Sequence, residues 1–296
     1  MYPIRLVAVI AVTVLGLVIA AAAGAGTRTS SLIAFASNRS GDTEIYVMNP
    51  DGSGVRRLTH SPKYDSPAAW SPDGRKLLFY TQRANGGVWV MNANGTGQKN
   101  LSRNAAHEDP GGWSPDGKQI VFDSTRDGNS QIYVMSSNGS GVRRITNDSS
   151  QDEFPSWSPD GKTIAFVSDR NGGSQIFVMN ADGSGQKGLT QGTSDGSPKW
   201  SPDGRKIAYV CGPHHKQSIC VMNADGSGQK KVTKKPQEFF GGLTWSPDGR
   251  KLAFSDGEGN SGGAIFVMNV NGSGVKLLTK GRFASNDPIW SPAQKG

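Results

Sequence analysis

Six copies of Trp-Ser-Pro recur along the 296-residue chain, at Trp70, Trp113, Trp157, Trp200, Trp245 and Trp290. The intervals run from 43 to 45 residues. A second motif repeats in register: "YVMNPDGSGVRRLT" from Tyr46, "FVMNADGSGQKGLT" from Phe177, and four relatives from Trp89, Tyr133, Cys220 and Phe266. Every methionine except the initiator lies in this motif. Met is therefore a packing position of the repeat. A period of this length means that one small unit cannot bury its own apolar faces and must stack on its neighbours.

Each unit reads as four short strands, a to d. Strand a ends at the Trp. "SPDG" turns the chain, with Pro and Gly where a type I turn prefers them. Strand b is an apolar run such as "KIAYV", and a polar loop follows. Strand c is "QIFVMN" and its relatives. Asn-Gly or Asp-Gly then makes a tight hairpin into strand d. Strands b and c are apolar on both faces, so neighbours must cover each sheet on both sides. The fold class expected is all-β, a six-bladed β-propeller of four-stranded antiparallel blades.

The two ends of the chain are complementary. "SSLIAFASNRS" starts directly at strand b, while the last copy, "IWSPAQKG", is a strand a that lacks Asp-Gly and stops. One blade is therefore expected to combine the C-terminal strand a with N-terminal strands b to d. Ile289 and Trp290 should pair with the strand through Ile33 and Phe35.

The "WSPDG" motif followed by an apolar strand, "SDR" at Ser168 to Arg170, and "IFVMNADGSG" resemble the repeats of the TolB-type propeller family. The resemblance spans residues 31 to 296. It implies the propeller fold and says little about activity. The family's namesake also has an N-terminal α/β domain, for which no segment is expected here, so its partner contacts do not carry over.

The first thirty residues differ from the rest. Arg5 is followed by an uncharged apolar stretch from Leu6 to about Ala23, then by small residues. Residues 1–25 read as an export signal or an uncleaved N-terminal membrane anchor, and residues 26–30 as a linker. The propeller is expected to lie outside the cytoplasm: periplasmic, secreted, or anchored. Cys211 and Cys220 would then meet an oxidising compartment and form a cross-hairpin disulfide, lying opposite each other on strands b and c. A zinc site adding His214 and His215 lacks a completing ligand pair, so no metal is expected.

The net charge is +8. Lys and Arg recur in every unit, so the excess is expected to be spread around the molecule. No basic stripe with interleaved aromatics appears, and nucleic acid is not an expected partner. Four units carry Arg39, Arg83, Arg126 and Arg170 after strand b. Asp65, Glu108, Asp152 and Asp195 lie five residues before the Trp of the following unit. These pairs are expected to form salt bridges between adjacent blades, such as Arg170 to Asp195. A ring of acids binding a cation at the channel mouth is the competing reading.

Signals for catalysis are sparse. "GTSDG" and "GNSGG" match the nucleophile-elbow pattern but sit in loops between strands. "DGSG" lacks the alternating acids of a calcium loop. His107, beside Glu108 and Asp109, is half of an acid–base site at most. No catalytic residue and no cofactor are expected. The repeats differ most between the loop Cys211 to Ser218 and the crossover Lys234 to Gly242. His214, His215, Lys234, Lys235 and Phe239 are therefore the candidate binding residues. The reading that follows is an exported, monomeric, non-catalytic scaffold presenting variable loops to a protein partner, or to an envelope glycan. Membrane contact would come only through an uncleaved N-terminal segment. The alternative is a propeller lyase or hydrolase acting on an envelope or extracellular glycan or ester, with its site at the channel mouth.

Overall fold

A computed structural model describes residues 31–83, 86–213, 216–233, 242–257, 263–281 and 283–293. Six four-stranded antiparallel sheets form a closed ring. Blade 1 contains strands Ile33–Ser40, Asp42–Met48 and Arg56–Arg57, completed by Ser285–Trp290 as strand a. Ile33 pairs with Trp290 and Ala34 with Ile289, which closes the ring as the repeat offset requires. Ser291 N donates to Leu32 O at 2.7 Å and Leu32 N donates to Ser291 Oγ at 2.8 Å, which locks the seam.

The core lies between blades. Leu78, Val88 and Leu101 of blade 2 pack with Trp113, Ile120, Phe122 and Met135 of blade 3, and five further clusters repeat this pattern. The strand-b aromatics Phe35, Phe79, Phe122, Phe166 and Phe254 are fully buried. Removing such a ring costs about 3–5 kcal/mol, so each blade depends on its neighbour. The c–d turns add a backbone contact. A Cβ on Gly95 would stand 2.4 Å from Leu58 O of the preceding blade, and one on Gly139 would stand 2.5 Å from Leu101 O. Only glycine permits that approach, and it also supplies the positive φ of the turn.

Both the "SPDG" and "DGSG" turns project from one face, here the turn face. The b–c loops and blade crossovers form the opposite loop face. The positive charge is not spread evenly, as the repeat alone suggested. Fourteen Lys and Arg, one to three per blade, stand exposed on the turn face or its rim against eight Asp. The asymmetry arises because "SPDG" is followed by Arg or Lys in every complete copy and strand d begins with one in every blade.

Candidate functional site

His214, His215, Lys234, Lys235 and Phe239 lie outside the described residues. Cys211 and Cys220 are joined by a disulfide with a Cα–Cα distance of 5.9 Å. They are not directly opposite: Cys211 pairs with Ser218 and Tyr209 with Cys220, so the bridge runs diagonally across the hairpin.

The Arg–acid pairs form within blades rather than between them. Arg83 Nη2 lies 3.1 Å from Asp65 Oδ2, Arg170 Nη2 lies 3.0 Å from Asp152 Oδ1, and Arg126 bonds Glu108. The register explains this. The first residue of strand a faces the end of strand b, Asp65 against Thr81 and Asp152 against Ser168. The Arg two residues beyond strand b folds back onto that acid. It also stacks on the aromatic pair of strands b and c; Arg170 Cζ lies 4.8 Å from the Phe177 ring centre and 5.6 Å from that of Phe166. Such cation–π contact adds to the ion pair.

Two residues are left over from this pattern. Arg39 lies over the rings of Phe35 and Tyr46 and donates to Ser37 Oγ at 3.2 Å. Burial holds its guanidinium below the usual arginine range. Asp195 is bonded by Thr190 of the preceding blade and by Gly192 N, and burial pushes its carboxyl up.

The site with chemical content is the loop-side mouth of the central channel. A cavity of about 640 Å³ opens there, lined by the innermost strands of all six blades and the segments flanking them, including Tyr64, His107, Phe154, Lys199, Gly242 and Asp287. Each strand a but the shortest carries an irregularity in its pairing where it passes the channel. Three residues before the Trp, Phe154, Ser197, Gly242 and Asp287 take φ values of 54°, 50°, 53° and 52°. Left-handed backbone at three non-glycine positions costs of order 1 kcal/mol each and gathers where geometry serves a site. Phe154 lines this cavity and remains 45% exposed.

Charges of both signs converge on the cavity. His107 Nε2 is 2.9 Å from Asp109 Oδ2, and this bond raises the imidazole above its ordinary range. The Tyr80 ring meets His107 edge-on at 5.7 Å. Asp287 accepts from Ser66 Oγ at 2.6 Å and Tyr64 Oη at 3.4 Å, yet burial still pushes it up. Asp123 accepts from Phe154 N at 3.1 Å; burial, then the nearby Asp109, pushes it well above the carboxylate range. Glu153 is raised by burial. Lys199 is lowered by burial, opposed by Asp287 and Asp123. Among the described residues, no group of three or more His, Cys, Asp or Glu is placed to hold a metal ion.

Lys199 marks the waist of the channel. With Ala68, Leu243 and Ile289 it also lines a second cavity, of about 430 Å³, at the turn-side mouth among Trp70, Trp200, Trp245 and Trp290. Trp245 Nε1 donates to Lys199 O at 2.9 Å and ties blade 6 to blade 5. Of these channel residues, the sequence singled out only His107 and Asp109. The departures of Phe154, Lys199 and Asp287 from small residues or Pro in aligned strands a carried the missing signal.

The family model for the TolB beta propeller domain matches residues 96–294. This chain belongs to the TolB beta-propeller domain family. A Protein TolB homolog from Chlorobium luteolum is 36% identical over 58 residues, a stretch that is 20% of this chain and only 13% of that protein. The fold resembles the crystal structure of TolB from Acinetobacter baumannii, with TM-score 0.80 and 24% identity over 88% of this chain and 67% of that one. It also resembles a chain of the nidogen/laminin complex, with TM-score 0.70 and 12% identity over 90% of this chain and all (100%) of that one. At these identities the likeness concerns the fold alone.

Proposed function

We propose that this chain is an exported, non-catalytic binding propeller that receives a protein partner at the loop-side mouth of its channel. One observation carries the reading: the cavity there combines an exposed, backbone-fixed Phe154 with charged groups of both signs on a rigid wall. A large aromatic held in place beside polar groups has the character of an interface anchor. The neighbouring variable loops, with His214, His215, Lys234, Lys235 and Phe239, would extend the contact. Family membership supports a scaffold role in the cell envelope, and the apolar stretch from Leu6 to Ala23 supports export.

The test is affinity capture from envelope extracts of the native cell, comparing the wild-type chain with Phe154→Ala and with the pair His215→Ala and Phe239→Ala. A partner recovered by the wild type and lost with Phe154→Ala supports the reading. Equal recovery by all three proteins rejects it. The hydrolase or lyase reading has one observation in its favour, the His107–Asp109 pair beside Tyr80. It requires turnover of a glycan or ester that disappears in His107→Ala.

A further inference from the structure

Three observations meet on the turn face. The first is charge. Fourteen exposed Lys and Arg stand against eight Asp. The acids are partly turned inward: Asp73 Oδ1 accepts from Ser71 Oγ at 2.6 Å and from Arg75 N at 3.0 Å, and Asp248 repeats this with Ser246 and Arg250. The Lys and Arg side chains beside them, such as Lys76, Lys118 and Lys251, stand in solvent.

The second is where the chain joins the ring. Trp290 Nε1 donates to Ser31 Oγ at 3.0 Å, and Leu32 is fixed to Ser291, so residue 31 is held on the turn face at blade 1. The uncharged apolar run ends near Ala23. The few residues between span at most ~25 Å when fully extended. Whatever holds that run also holds the turn face nearby. The third is apolar exposure. Val55 and Val275 are 41% and 58% exposed. They follow the c–d turns of blades 1 and 6, on either side of Lys276, whose Nζ reaches Asp51 O at 3.4 Å.

We infer that the turn face is a docking surface for an anionic lipid bilayer. Basic side chains ring the face and meet anionic lipid headgroups, which attract Lys and Arg held close to the surface. Val55 and Val275 enter the interfacial layer beside the point where the chain arrives. The loop-side cavity then points away from the membrane. The inference rests on the charge map and the position of Ser31, and stands whether or not the proposed partner binds the cavity.

Lysine acetylation of the full chain, read by mass spectrometry, tests it on vesicles of phosphatidylcholine alone and with about one quarter phosphatidylglycerol. The apolar run partitions into both, so only the difference between them reports on the face. Lys76, Lys118, Lys206 and Lys251 should be protected about threefold or more by the anionic vesicles, and the protection should vanish near ~0.5 M salt. Lys63 and Lys280, on loop-face crossovers, should label equally throughout. The surface variant Arg75→Gln, Lys76→Gln, Arg250→Gln, Lys251→Gln should lose most of the protection at Lys118 and Lys206. Equal labelling on both vesicles, or equal protection of Lys63, overturns the inference. Protection by soluble polyphosphate but not by vesicles also overturns it and assigns the face to a soluble polyanion.

Discussion

The Arg170 guanidinium lies 3.0 Å from the Asp152 carboxylate on one side and 4.8 Å from the centre of the Phe177 ring on the other. Asp152 is fully buried, while the Arg170 side chain is 22% exposed. Removing the cation strands a buried acid. Arg170→Ala should cost about 3 kcal/mol in urea unfolding, the low end of the range for breaking a buried pair, because the arginine is partly exposed. Arg170→Lys should recover less than half, because an ammonium neither forks onto the carboxylate nor stacks as a plane. A loss below about 0.5 kcal/mol would reduce the contact to a surface ion pair.

Asp123 should stabilise the fold most in acid, where it keeps its proton. Burial raises its folded-state pKa, so the folded chain holds the proton more tightly than the unfolded one. Its contribution is fully present below the unfolded value near ~3.9 and is lost as pH rises through the folded value. Asn keeps an oxygen for Phe154 N and does not titrate. Asp123→Asn should therefore raise Tm at pH 8, with the gain shrinking as pH falls towards 4. A gain that grows in acid would contradict the assignment.

The Cys211–Cys220 bridge closes a short loop across one hairpin. Chain-entropy reasoning gives about 2–3 kcal/mol for a loop of this size. Cys211→Ser with Cys220→Ser should lower stability by up to that amount and leave the other blades' packing unchanged. The check is denaturant unfolding with and without reductant, which should bring the wild type to the level of the variant.

The seam makes the ring one cooperative unit. Removing residues 284–296 takes away the strand that pairs with Ile33, Ala34, Ala36 and Ser37. It also uncovers the cluster of Ile33, Phe35 and Met48, against which Trp290 packs. Thermal unfolding should move down as a whole. A separate early transition confined to one blade would instead mean that the blades unfold independently.

The fold was legible because the repeat states it at every scale. Trp, Asp-Gly and the apolar runs recur in register, and the truncated copy at Trp290 marks the seam. The Arg–acid pairing was misread by one blade. Counting along the chain links Arg170 to the next acid, Asp195, but antiparallel register brings it back to Asp152. Asp195 and Arg39 lack an Arg–acid partner of this kind and made the wrong assignment look better. Thr190 and the Phe35–Tyr46 stack satisfy them instead, by contacts that leave no charge pattern in the sequence. The channel site was hidden for another reason. Phe154, Lys199 and Asp287 come from three different repeats, and only ring closure brings them to one cavity. The turn-face charge was likewise invisible along the chain, because strands alternate direction and place every second connection on the same side.

Phe154→Gly tests the central claim most directly, because it separates stability from binding. Glycine tolerates the φ of 54° that Phe154 adopts, so the fold should be unchanged or firmer by up to about 1 kcal/mol. The account expects this variant, folded and monomeric, to lose the protein recovered by the wild type in quantitative capture from envelope extracts. Undiminished recovery by a well-folded Phe154→Gly chain would contradict it.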